Sequence, residues 1–187
     1  NMVIGAPSDE NECRSMLQSA WLHEGPSAVR YPRGEGTGVA IDSGLATMDI
    51  GKGYLVRQGV GVAVLNFGVL LDQALVAAEL LNATVVDMRW VKPLDEALIL
   101  SLVETHDGLI TLEENAVAGG AGSGVAEFLA KAGVRCPVQH VGIPDAFIAH
   151  ASQGECRQMA GLTAESIVSA AANLGASQLP SQTQRAS

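Results

Sequence analysis

Arg33 follows the strand-like run Ala28-Val29-Arg30-Tyr31 and is flanked by a rigid residue and a permissive one, Pro32 and Gly34. In open α/β sheets ligands collect beyond the carboxyl ends of strands, so a guanidinium placed there can turn its fork toward an anionic substrate group. Such a charge-assisted contact is worth roughly 1.5–3 kcal/mol where partly buried. The plain alternative is an ion pair at the surface or between domains.

A second stretch with chemical potential is Glu113-Glu114-Asn115, which ends an apolar run and leads through Ala116-Val117-Ala118 into Gly119-Gly120-Ala121-Gly122-Ser123-Gly124. Carboxylates at a strand end could act as acid and base or hold backbone amides, and glycines at a helix start could cradle phosphate. The spacing departs from the dinucleotide fingerprint and no P-loop lysine follows. Tight turning and close helix–sheet packing is the better reading of these glycines.

Asp87-Met88-Arg89-Trp90-Val91-Lys92-Pro93-Leu94-Asp95 reads as a strand end feeding a helix, with Asp87 and Arg89 on one strand face in structural roles. Phe147 and Ile148, in the irregular stretch after Gly142, could form a partner surface or fold back on their own domain. Cys13, Cys136 and Cys156 are scattered and outside any CxxC pairing, as expected of inert reduced thiols. His23, His106, His140 and His150 lack a spacing that puts two ligands on one helix face, which argues against a protein-only metal site. No nucleophile–base pair stands out.

These residues need a scaffold, and the composition indicates its class. Hydrophobic residues make up 48% of the chain but aromatics only 4%, so the core is built from Val, Leu, Ile and Ala, as where helices cover buried parallel strands. A net charge of −9 without a Lys/Arg cluster excludes a polyanion-binding surface and hence nucleic acid. No apolar run approaches the ~20 residues of a membrane span, and a signal-peptide pattern is absent at the start, so a cytoplasmic location is expected.

Met2-Val3-Ile4 reads as a buried strand, Pro7-Ser8-Asp9 as a turn with Ser8 capping a helix through Trp21-Leu22, and 28–31 as the next strand. One strand, one helix and one strand cannot close a core, so 1–34 is expected to be the end of a larger domain. Residues 35–52 are rich in Gly, Ser, Thr and Asp and read as a linker. After an edge strand at 53–57, strands at 61–67, 83–88, 108–113 and 137–141 alternate with helices at 70–81, 94–104, 122–132, 155–159 and 163–174. That alternation predicts a mostly parallel sheet covered by helices on both faces over 53–176. The polar residues 177–187 are expected to be disordered.

Taken in order, Pro7-Ser8-Asp9-Glu10-Asn11-Glu12, Val29-Arg30-Tyr31-Pro32-Arg33-Gly34, the 87–95 segment, the 113–124 segment and Gly142-Ile143-Pro144-Asp145 resemble the C-terminal part of the bacterial 1-deoxy-D-xylulose-5-phosphate synthase family. The resemblance implies a transketolase-like three-layer α/β domain at 53–176, preceded by a strand–helix–strand remnant of a pyrimidine-binding domain at 1–34. It implies a homodimeric enzyme using thiamine diphosphate and Mg²⁺ to condense pyruvate with D-glyceraldehyde 3-phosphate, with loss of CO₂. Arg33 matches the arginine that holds the aldehyde's phosphate, with Tyr31 as its neighbour. The family's diphosphate–Mg²⁺ motif, its glutamate and its active-site histidines match nothing in these residues, so this chain is expected to bind no cofactor alone and to be inactive without the N-terminal part of the enzyme. The alternatives are a non-catalytic dimerisation module or the C-terminal domain of another transketolase relative, such as a 2-oxoacid dehydrogenase β component.

Overall fold

The computed structural model describes residues 1–177. The expected disordered tail therefore falls, from residue 178 onward, outside the described residues.

The chain first forms β1 (Val3–Gly5), α1 (Glu10–Leu22) and β2 (Ser27–Val29), then runs without helix or strand to β3 (Tyr54–Arg57). Thereafter β4 (Val62–Phe67), α2 (Leu71–Leu81), β5 (Thr84–Asp87), β6 (Trp90–Lys92), α3 (Glu96–Thr105), β7 (Gly108–Ala116), α4 (Ala121–Lys131), β8 (Val138–Ile143), α5 (Gln153–Met159) and α6 (Ala164–Ser177) follow. Five strands form a sheet in the order β3-β5-β4-β7-β8, parallel apart from the antiparallel edge β3.

Strand alternation sorts the apolar side chains into two layers. Val64, Val85, Ile110 and Leu112 pack under Ala74, Ala77 and Ala78 of α2 and Ile167 and Leu174 of α6. Ala63, Leu65, Val86 and Leu109 point to the other face, against Ile99 and Leu102 of α3 and Val125 and Leu129 of α4. Small alanines on α2 let the helix approach the Val- and Ile-rich strands closely, giving the expected three-layer α/β sandwich.

The N-terminal segment is joined to this domain in a way its sequence does not reveal. Residues 87–95 do not run straight from strand to helix. Arg89 takes a left-handed backbone conformation (φ 60°), which redirects the chain so that β6 pairs antiparallel with β1. The second sheet, β2-β1-β6, therefore draws strands from both ends of the 35–52 stretch. Its apolar centre is small: Val3, Met16 and Trp90.

Residues 35–52 are laced along α1 rather than free of it. Glu10 accepts from the Thr37 hydroxyl and the Gly38 N–H, Asn11 exchanges hydrogen bonds with Ala40 and Asp42, and the Met48 N–H donates to Ser19 Oγ at 2.7 Å. The helix cap also shifts by one residue from the expectation. Asp9 accepts from the Glu12 N–H at 2.8 Å, which leaves Ser8 to donate its N–H and hydroxyl to the Glu12 carboxylate.

Candidate functional site

β2 ends at Val29, so Arg30, Tyr31 and Arg33 lie on an irregular turn and not on a strand whose alternation would sort them. Pro32 explains this, because it has no N–H to offer a neighbouring strand. Tyr31, Pro32 and Gly34 line a cleft of about 400 Å³ that also touches the start of α1, the start of α2 and Arg157 of α5. Arg33 is exposed, is not among the residues that line the cleft, and takes part in none of the ion pairs among the described residues. Tyr31 is 61% exposed.

The cleft itself is lined by Asp9, Glu10, Glu35 and Asp72 against the single cation Arg157. Arg157 is already engaged, donating from Nε to Glu114 Oε1 at 2.7 Å. The carbonyl of the same Glu114 accepts from Arg30. Two arginines thus converge on the end of β7, one from the N-terminal segment and one from α5.

The 113–124 segment is a second focus. Phe67 and Glu113 are register partners at the carboxyl ends of β4 and β7, the point from which α2 leaves on one face and α4 on the other. Such a crevice is where parallel sheets usually take their ligand. Here Glu113 fills the anion position itself: its buried carboxylate accepts from the Ala121 N–H at 2.7 Å and the Gly122 N–H at 2.9 Å, the first turn of α4.

The glycines serve packing. A Cβ on Gly120 would stand 2.3 Å from the Ala116 carbonyl, and one on Gly122 would stand 2.4 Å from Thr111 Oγ1 and 2.7 Å from His140 Nδ1. With its amides taken by Glu113, this turn does not fit a diphosphate. Among the described residues no group of three or more His, Cys, Asp or Glu could hold a metal ion.

The other sequence candidates remain apart. Phe147 is fully exposed and Ile148 half-buried, so Phe147 does not fold back. The cysteines are free, and burial pushes the Cys13 and Cys136 thiols up. His140 meets Thr111 at 2.7 Å, and His106 bridges Thr84 and the Leu102 carbonyl.

One cluster had no local signal in the sequence. Arg89 donates from Nε to Glu12 Oε1 at 2.5 Å, Ser8 donates to Glu12 Oε2, and the Arg89 N–H donates to Asp87 Oδ1 at 3.1 Å. These residues come from separate motifs more than seventy positions apart, since Glu12 and Arg89 differ by 77. Only the turn at Arg89 brings them together.

No described helix is long and apolar enough to cross a membrane. Residues 51–167 match the family model of the transketolase C-terminal domain. The chain is 59% identical over 167 residues to a 1-deoxy-D-xylulose-5-phosphate synthase of Vibrio vulnificus, and 56% identical over 170 residues to one of Thioalkalivibrio sulfidiphilus. The alignments cover 89% and 91% of this chain but 27% of each of those proteins, so the chain spans about a quarter of their length. Among solved structures, it is similar to a split-gene transketolase described as an inactive β4 tetramer, at 31% identity and TM-score 0.84, over 93% of this chain and 58% of that one. The fold also matches transketolase from Leishmania mexicana at 20% identity and TM-score 0.67, over 99% of this chain and 27% of that one. The chain belongs to the transketolase C-terminal domain family.

Proposed function

We propose that this chain acts as the C-terminal part of a 1-deoxy-D-xylulose-5-phosphate synthase, in which pyruvate loses CO₂ and its two-carbon unit joins D-glyceraldehyde 3-phosphate. The observation that carries this reading is the 59% identity to a synthase of that name, sustained over 167 residues. In this reading 1–34 is the closing strand–helix–strand of a pyrimidine-binding domain, 35–52 the linker and 53–176 the C-terminal domain. Thiamine diphosphate and Mg²⁺, which supply the carbanion chemistry when bound, are held by the N-terminal part of the enzyme. The assembly is a cytoplasmic homodimer.

Arg33 is the residue of this chain that meets substrate. Its guanidinium is exposed and outside the described ion pairs, which leaves its fork for the aldehyde's phosphate, with Tyr31 on the same turn as a hydroxyl donor. In the full-length enzyme Arg33→Ala is expected to raise the aldehyde KM about tenfold to a hundredfold and leave the pyruvate KM nearly unchanged. Equal effects on both substrates would remove Arg33 from this role.

The likeness to a split-gene transketolase favours a second reading, in which the chain is a separately folding, self-associating module that is inactive alone. Adding the separately expressed N-terminal part of the enzyme to the lone chain separates the two: recovery of synthase activity supports the first reading, and a self-associated chain that restores none supports the second.

A further inference from the structure

Three buried side-chain atoms lack a hydrogen-bond partner among the described residues, and two of them are neighbours: Asn66 Oδ1 and Asp87 Oδ2. Asn66 and Asp87 are register partners on the parallel strands β4 and β5, so their side chains leave the same face of the sheet. Both are essentially inaccessible, at 0% and 1% exposure. The Asn66 amide cannot be turned to help. Its Nδ2 donates to the Gly68 carbonyl at 2.7 Å, and a flip would set oxygen against oxygen.

A third acceptor closes the site. The Glu12 carboxyl lies within hydrogen-bonding reach of Asp87, and its own donors are all accounted for: Arg89 Nε on Oε1, and the Ser8 N–H and hydroxyl on Oε2. Asp87 Oδ1 likewise has its donor in the Arg89 N–H. Buried Asp87 and mostly buried Glu12 thus face each other beside Asn66; the Ser8 hydroxyl reaches both carboxyls but donates to Glu12 Oε2, which leaves Asp87 Oδ2 without a well-directed donor. An ionised carboxylate in that position would set two like charges side by side and leave one oxygen bare, which disfavours the charged form.

We propose that Asp87 is a buried proton-binding site, whose carboxyl group keeps a proton on Oδ2 and donates it to Glu12, fastening the N-terminal segment to the five-stranded sheet through an acid–carboxylate hydrogen bond. The proton comes from solvent and no bond to carbon changes. Glu12 belongs to α1 and Asp87 to β5, so the contact joins the two sheets beside β1 and β6. It holds whatever reaction the assembled enzyme catalyses.

The charged groups around the pair fit this arrangement. Arg89 serves Glu12 and lies over the Tyr54 ring of β3 at 4.9 Å, so its charge stabilises the carboxylate that stays ionised. Asp42, Asp49 and Lys52 line the hollow outside Glu12 and Arg89, and Asp72 of α2 lines the cleft beside Ser8. Burial, and next the Glu12 charge, push the Asp87 carboxyl well above the usual carboxylate range. A carboxyl raised in this way binds its proton more tightly folded than unfolded. The stability it contributes is complete below the ordinary aspartate value of 3.8 and declines as pH rises toward the folded value.

The test is Asp87→Asn in the full chain, compared with the native chain by denaturant unfolding across the neutral and mildly acid range. The amide is isosteric, keeps the acceptor for the Arg89 N–H and donates permanently where the acid donates its proton. The variant is expected to gain on the native chain with rising pH, by up to tenfold in the folding equilibrium per pH unit, the slope for one proton. The Ala6 amide, which donates to the Arg89 carbonyl at 2.7 Å, should lose exchange protection with rising pH in the native chain but not in the variant. An ionised Asp87 predicts the opposite sign, with the variant weaker at neutral pH and the gap closing in acid; that result, or parallel pH profiles, overturns the proposal. Infrared spectra of the native chain with ¹³C-labelled aspartate decide without any variant. A protonated carboxyl band at neutral pH supports the site, and its absence overturns it.

Discussion

The two sheets are held by different forces. In the five-stranded sheet, β4 and β7 bury apolar side chains on both faces, and the helices that cover them come from the same stretch of sequence. The three-stranded sheet has Val3, Met16 and Trp90 at its buried centre, with half-buried Val29, Met48 and Ile50 against them, and is fixed also by polar contacts: the Glu12–Arg89 pair, Arg30 on the Glu114 carbonyl, and the lacing of 37–48 along α1. Its outer surface keeps Leu17 (48%) and Trp21 (84%) exposed, four residues apart on one face of α1. Apolar burial scales with covered area, so the first sheet carries the stability and the second borrows it by attachment.

The largest effect should come from testing that difference in the core. Leu112→Ala is expected to cost about 2–5 kcal/mol of global stability, seen as a lower denaturant midpoint and loss of exchange protection throughout. Met16→Ala should instead release mainly the amides of 1–29, with β4 and β7 still protected. If both variants unfold the whole chain together, the two sheets form one cooperative unit and the distinction collapses.

A smaller effect probes the packed glycine turn. In Gly122→Ala the new Cβ meets Thr111 Oγ1 and His140 Nδ1, and an overpacking cost of about 1–3 kcal/mol is expected by denaturation. A neutral result would mean the α4 start yields readily, weakening the contrast between a rigid sheet and a tethered segment. The smallest effect is predicted for Trp21→Ser, a change within about 0.5 kcal/mol for the lone chain. A loss well beyond that would show that the outer face of α1 is covered in solution.

The alternation of strand and helix, the two apolar layers and the edge strand β3 were legible in the sequence, because each follows from local periodicity and from burial on both faces of a parallel sheet. The packing role of Gly120 and Gly122 was also foreseen from the absence of a phosphate-binding spacing. The strand β6 was not. Trp90-Val91-Lys92 is too short to declare itself, and its pairing with β1 depends on the left-handed turn at Arg89, a conformation that propensity disfavours and tertiary contacts enforce.

The same reason separates the two kinds of site residue. Arg33 and Tyr31, proposed to meet substrate, lie in one contiguous motif: the neighbourhood of Arg33 left an anion contact or an ion pair open, and the family resemblance supplied the substrate role and Tyr31 as its neighbour. Asp87 and Glu12 lie in separate motifs. A carboxyl becomes a proton site only when folding removes its water and sets another acid against it, and both conditions are created by the contact between sheets that sequence periodicity does not encode. The sequence by itself determined the two layers, because periodicity is local; the tertiary structure decided the exposure of Arg33 and the setting of Asp87, because burial depends on contacts far apart in the chain.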